Sequence, residues 1–208
     1  MDKYPDIKKQ DDQEYHHGNL KKALVGAALI ILKNEGIQSL SLRAVARSVG
    51  VSATAPYSHF NDKTSLLAAV ARKGYLSMAK SMELEAMGTI TKKERMLSMA
   101  RGYVNFAIDE KALFRLMFGN EIGSFCQFPD LEKAATTCQD LLFNGSGETL
   151  LENDKRHATQ PVEALAVWSL VHGLATLIID GEVSPESFGL NDQDSLVDAV
   201  SSLLSLDE

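Results

Sequence analysis

The chain has 208 residues, 45% of hydrophobic type and 24% charged, with a formal net charge of −7 and two cysteines, Cys126 and Cys138. That is ample length to bury a core in one or two domains. The cysteines are too few for a disulfide scaffold, and their spacing fits no zinc site.

The first 15 residues, MDKYPDIKKQDDQEY, are polar and mixed in charge. With no basic start leading into an apolar run, they read as a flexible N-terminal tail (1–15) of a cytoplasmic protein, not as a signal peptide. Leu20, Leu24, Ala27, Ala28, Ile31 and Leu32 then recur at helical spacing. They predict an amphipathic helix that starts at Gly18-Asn19 and ends near Gly36. His16 and His17 lie at that start. Adjacent histidines point apart on most backbones and no carboxylate or cysteine has a matching spacing, so no metal or other cofactor is expected; DNA phosphate is the better neighbour.

SLSLRAVARSVG followed by VSATAPYSHFNDK is the most informative run. Ser41 is placed to cap a short helix carrying Leu42, Val45, Ala46 and Val49 on one face, and Gly50 to end it in a left-handed turn. Ser52 is placed to cap the next helix. Two short helices joined by a tight glycine turn make a helix-turn-helix, whose second helix lies in the major groove. Tyr57 and His59 supply phosphate donors, and Lys63 stands beside the DNA backbone on the first turn of the following helix. Arg43 and Arg47, four apart, share an outward face; Phe60 belongs to the core. Ser52, Ala53 and Thr54 face the bases. Ala53, Thr54, Ala55 and Pro56 offer a single hydrogen-bonding side chain, which predicts contact with thymine methyls and reliance on DNA shape. Charge supports this reading: residues 16–64 hold six basic against two acidic residues, a net of +4, and residues 66–208 hold 12 against 21, a net of −9. A basic head on an acidic body turns one end of the molecule toward phosphate.

Beyond the head every element reads as helix. Asp62 is expected to cap a long helix running to about residue 86, and Thr91 the next, through Met96, Met99, Tyr103 and Phe106. A short apolar stretch, ALFRLMFG, precedes a loop at Phe128-Pro129-Asp130 and a helix from Leu131 to Phe143; NGSG at 144–147 signals a turn. Pro161 opens an apolar helix to about Asp180, and a last helix starts near Asp192. VEALAVWSLVHGLATLII is broken by Ser169, His172, Gly173 and Thr176 and is too short for a membrane span. A helix apolar all round is buried on two sides, which predicts a homodimer face of Ala166, Leu170, Gly173 and Leu177, joined by Val197, Val200 and Leu204. Met99, Phe106, Met117, Phe118, Trp168 and His172 are the candidate lining of an apolar ligand pocket. Cys138 reads as a small core residue rather than a thiol sensor.

The run YHHGNLKKALVGAALIILKNEG, with Gly50-Val51-Ser52, Tyr57-Ser58-His59-Phe60 and Lys63 after it, resembles the TetR family of one-component transcriptional regulators. Trp168-Ser169-Leu170-Val171-His172-Gly173 and Leu113-Phe114-Arg115-Leu116-Met117-Phe118-Gly119 look like the WHG-type C-terminal domain of one branch. Ala55-Pro56 departs from the Thr-Leu often found there. The resemblance implies an all-α protein: a three-helix DNA-binding domain (16–64), joined by a long helix to a helical effector-binding and dimerisation domain (65–208). It implies a homodimeric repressor that leaves a palindromic double-stranded operator when a small, largely apolar effector binds. The alternative is a helical small-molecule carrier or sensor without specific DNA binding. An enzyme is not expected, since the chain has no nucleophile-base spacing, paired-carboxylate motif or phosphate loop.

Overall fold

A computed structural model describes the backbone of residues 7–144 and 162–203, with side chains other than those of 7–19, 92, 143–144 and 163–164. The side chains of His16 and His17, the NGSG turn beyond Asn144, Pro161 and Leu204 therefore lie outside the described residues. The α-helices are α1 (Ile7–Glu35), α2 (Leu42–Val49), α3 (Lys63–Glu85), α4 (Lys92–Asp109), α5 (Lys111–Phe118), α6 (Pro129–Asn144), α7 (Val162–Ile179) and α8 (Gln193–Ser201). The predicted all-α class is the one observed, and no strand occurs among the described residues.

Local chemistry sets most boundaries. The side chains of Ser41, Asp62, Thr91 and Asp192 accept hydrogen bonds from the amides of Ala44, Ser65, Glu94 and Ser195, capping α2, α3, α4 and α8. Each such cap is worth about 1 kcal/mol. At Asp62 and Thr91 the third helical residue returns the bond, a reciprocal capping box. Gly50, at φ 79°, ends α2; its amide reaches Arg47 O at 3.2 Å while that of Val51 reaches Ala46 O at 3.0 Å. One boundary differs from expectation. α1 begins at Ile7, so Gly18-Asn19 lies inside the helix and does not start it; a glycine in a helix interior costs only about 1 kcal/mol.

α1, α2 and the first turns of α3 enclose Leu24, Ala28, Leu32, Leu40, Val45, Phe60 and Leu66, all buried. The 23 residues of α3 extend about 34 Å at 1.5 Å per residue, far enough to pack on α1 at one end and on α4, α5 and α6 beyond. Gly102 brings α4 against the α3 backbone: a Cβ there would stand 2.7 Å from Met82 Cα and from Ser81 O. The Ser81 hydroxyl donates to Gly102 O at 3.0 Å. Arg101 clasps Asp198 with two bonds of 2.6 and 2.7 Å, tying α4 to α8. Lys33 Nζ, at the end of α1, pairs with Glu110 Oε1, just before α5, at 3.3 Å.

α7 buries Val167, Val171, Leu174, Ala175 and Ile179 and leaves Val162, Leu165, Ala166 and Leu177 exposed. No described helix is long and apolar enough to cross a membrane. On α8, Val197, expected on the dimer face, is buried within the protomer. Its accessibility is 0%, because Val197 with Leu196 is the apolar edge by which this short helix meets the rest of the fold. Val200 is half-buried against the same core.

Candidate nucleic-acid interface and effector cavity

Ser52, Ala53 and Thr54 are exposed together on the turn after α2, but the helix expected to carry them is not an α-helix. It is a single 3-10 turn, Ala55–Ser58, with Thr54 ahead of it. The cause is Pro56. It has no amide to donate back to Ser52, and its ring disfavours helical geometry at Ala55. Ser52 O instead accepts from Ala55 N at 3.0 Å, and Thr54 O from Tyr57 N at 3.1 Å. Pro56 is buried, so it anchors this turn to the head and presents nothing to DNA. The Ser52 hydroxyl does not act as the expected cap; it lies 3.1 Å from the Thr54 hydroxyl.

Tyr57 is 52% exposed and well placed to offer its hydroxyl. Arg43 and Arg47 are exposed on α2, and among the described residues neither is held in an ion pair. His59 is half-buried, its ring edge-on to Phe60. Lys63 Nζ donates to Ile37 O at 3.0 Å, which uses one of three ammonium hydrogens and leaves two. Phe60 is a core residue, as expected, with Lys21 Nζ 6.0 Å from its ring centre.

In the body lies a cavity of about 360 Å³. Of the residues expected to line one, Met117, Phe118 and Trp168 do so. Met99 and Phe106 do not: both are buried in the close-packed interior facing other helices. His172 does not either. It stands behind the wall, its ring stacked on Phe114 (centroids 5.3 Å, 26°) and edge-on to Phe118 (4.5 Å, 63°), with Trp168 at 6.0 Å. Its Nδ1 lies 2.8 Å from Tyr103 Oη. Burial pushes the Tyr103 phenol far up and the His172 imidazole down, so both stay neutral near pH 7. Burial also pushes the Cys138 thiol up to about 12, which removes the nucleophilic thiolate a sensor needs.

Phe125, one of the body aromatics read from the sequence as a possible pocket residue, lines it too, whereas Tyr75 and the α6 stripe were missed. Tyr75 comes from α3 and donates its hydroxyl to Met117 O at 3.0 Å. Phe125 packs edge-on to it at 6.1 Å. The opposite wall is a stripe of α6: Glu132, Ala135, Thr136 and Gln139. These recur at i, i+3, i+4 and i+7, the signal of one helix face, but a polar stripe reads in sequence as a solvent face.

The comparisons accord with this architecture. Residues 24–70 match the family described as "Bacterial regulatory proteins, tetR family", and residues 96–203 the one described as "Tetracyclin repressor-like, C-terminal domain". The chain is 26% identical over 164 residues to the uncharacterized HTH-type transcriptional regulator YobS of Bacillus subtilis, covering 77% of this chain and 80% of YobS. It superposes with a TM-score of 0.72 and 31% identity on a protein of unknown function from Rhodococcus sp. RHA1, covering 92% of this chain and 96% of that one. A TetR family transcription regulator from Marinobacter aquaeolei VT8 shares the fold at 14% identity, with a TM-score of 0.59 and coverage of 95% and 96%. Head and body thus match the two halves of one regulator architecture, and the chain belongs to the TetR family of DNA-binding transcriptional regulators, not to any class of enzyme.

Proposed function

We propose that the protein is a homodimeric repressor that occupies a palindromic operator and leaves it when a small molecule fills the body cavity. One observation carries this reading: α3 starts at Lys63 beneath the head and supplies Tyr75 to the cavity wall. A ligand that favours one position of Tyr75 therefore favours one position of the head, and only such differential affinity can shift the DNA-competent population. In this reading residues 16–64 form the head and 65–208 the body.

On the DNA side, Arg43, Tyr57, His59 and Lys63 hold phosphate while Ser52, Ala53 and Thr54 meet base edges. The turn at 55–58 is too short to lay a long reading face in the groove, so both half-sites and DNA shape supply much of the specificity. For the dimer, the outward face of α7 supplies Ala166, Leu170, Gly173 and Leu177, with Val162, Leu165 and, past α8, Leu203 in the same exposed apolar class. A Cβ on Gly173 would meet nothing within 4 Å, which leaves room for the backbone of a partner helix.

Footprinting on the DNA upstream of the protein's own gene, against excess random DNA, tests the proposal. The expected result is a protected, roughly two-fold symmetric site. Binding that is uniformly non-specific at every tested promoter would refute the operator reading and favour a carrier.

A further inference from the structure

We propose that the effector of this cavity is an organic cation with an apolar body, received by Glu132. The inference rests on the reading of the cavity as an effector site and names the chemical class it takes.

The cavity has two unlike walls. α3, α5, the 125–127 turn and α7 contribute Tyr75, Phe118, Phe125 and Trp168. Tyr75 meets Phe118 and Phe125 steeply, at interplanar angles of 72° and 79°, which fixes the rings as an angled cluster and not a flat stack. Such rings attract a cation within about 6 Å of their centres. The facing stripe of α6 brings the one ionisable carboxylate of the lining, Glu132, and the lining includes no lysine, arginine or histidine. Among the described residues no basic side chain forms an ion pair with Glu132; its recorded polar side-chain neighbour is the weak donor Cys126 Sγ, at 3.9 Å. A position in the first turn of α6 suits a carboxylate on its own account. Yet Asp130, in the same turn, is exposed and does not line the cavity, whereas Glu132 does. A purely hydrocarbon ligand would strip water from that carboxylate and give nothing back. An anion would meet like charge. A cation on an apolar body satisfies both walls.

Trp168 is the chain's single tryptophan and lines the cavity, so its fluorescence reports occupancy directly. Phenyltrimethylammonium and tert-butylbenzene have the same shape and differ in charge. Titrated into the full-length protein at pH 8, the cation is expected to bind at least about tenfold more tightly. Glu132→Gln should remove most of that preference, by weakening the cation and by relieving the hydrocarbon of stripping water from a charge, and Glu132→Asp should retain it. Thermal melts establish that the variants are folded. Equal affinities, or a tighter hydrocarbon, overturn the cationic assignment but keep the cavity as an apolar effector site. An unchanged preference in the folded Gln variant overturns the role of Glu132. Trp168 emission that responds to neither probe at millimolar concentration overturns the cavity as an effector site, and the ligand half of the proposed function with it.

Discussion

Arg43 and His172 illustrate how differently single residues act at the two ends of this molecule. Arg43 is exposed and unpaired among the described residues, so its guanidinium is open to the phosphate contact proposed for it. Arg43→Ala should weaken all DNA sequences alike and reduce the slope of log affinity against log salt by about 0.9, the value of one phosphate contact. A changed sequence preference with an unchanged slope would instead assign Arg43 to the bases. His172 is held neutral by burial among rings. Its folded pKa lies below the unfolded 6.5, so the unfolded chain binds the proton first as pH falls. The stability this residue contributes is fully present above pH 6.5 and is lost as pH falls below it. Urea denaturation at pH 7 and pH 5 should therefore show a larger loss in the wild-type protein than in His172→Gln; equal losses would mean that the imidazole protonates as freely in the folded state as in the unfolded chain.

Helices here are set by contacts of two kinds. Caps such as Ser41, Asp62, Thr91 and Asp192 act locally, and residue type and spacing announce them. The approach of α4 to α3 at Gly102 is not local: the atoms a Cβ would strike belong to the backbone at Ser81 and Met82 and cannot rotate aside. Gly102→Ala should destabilise the protein by about 1–3 kcal/mol net, since overpacking against a backbone outweighs the about 1 kcal/mol that alanine gains in helix propensity. Gly26→Ala on α1, where a Cβ meets nothing within 4 Å, should stabilise by about 1 kcal/mol. Chemical denaturation of the pair separates the two effects: similar shifts would mean that α3 and α4 are not in close contact in solution.

Over the whole molecule, charge and apolar surface are divided by end and by face. The basic head stands on a body of net −9, and the outward face of α7 leaves Leu165 54% and Leu177 46% exposed. If α7 carries the proposed dimer contact, Leu165→Glu combined with Leu177→Glu should yield monomers in sedimentation without unfolding the protomer, because neither side chain is part of its core. Operator protection should then fall far more than non-specific binding, since two joined half-sites are needed for the former. A double variant that sediments as a dimer would place the interface elsewhere.

The sequence by itself determined whatever depends on short-range chemistry. Helical periodicity specified an all-α chain, capping residues specified where α2, α3, α4 and α8 start, and the Gly50 and Tyr57-Ser58-His59-Phe60 neighbourhood specified a DNA-reading head. Even there Pro56 acted against the expected helix: a missing amide removes the i→i−4 bond, and the apolar pattern does not register it. Only the tertiary structure decided which body residues meet. Met99, Phe106 and Val197 have the same apolar character as Met117 and Phe118, and their fates diverge because burial depends on the helix opposite. Glu132, Thr136 and Gln139 carry no sign in the sequence of what they face; only packing brings them to one cavity with residues of α3, α5 and α7. Periodicity states which residues share a face; what that face meets is set by packing among distant segments.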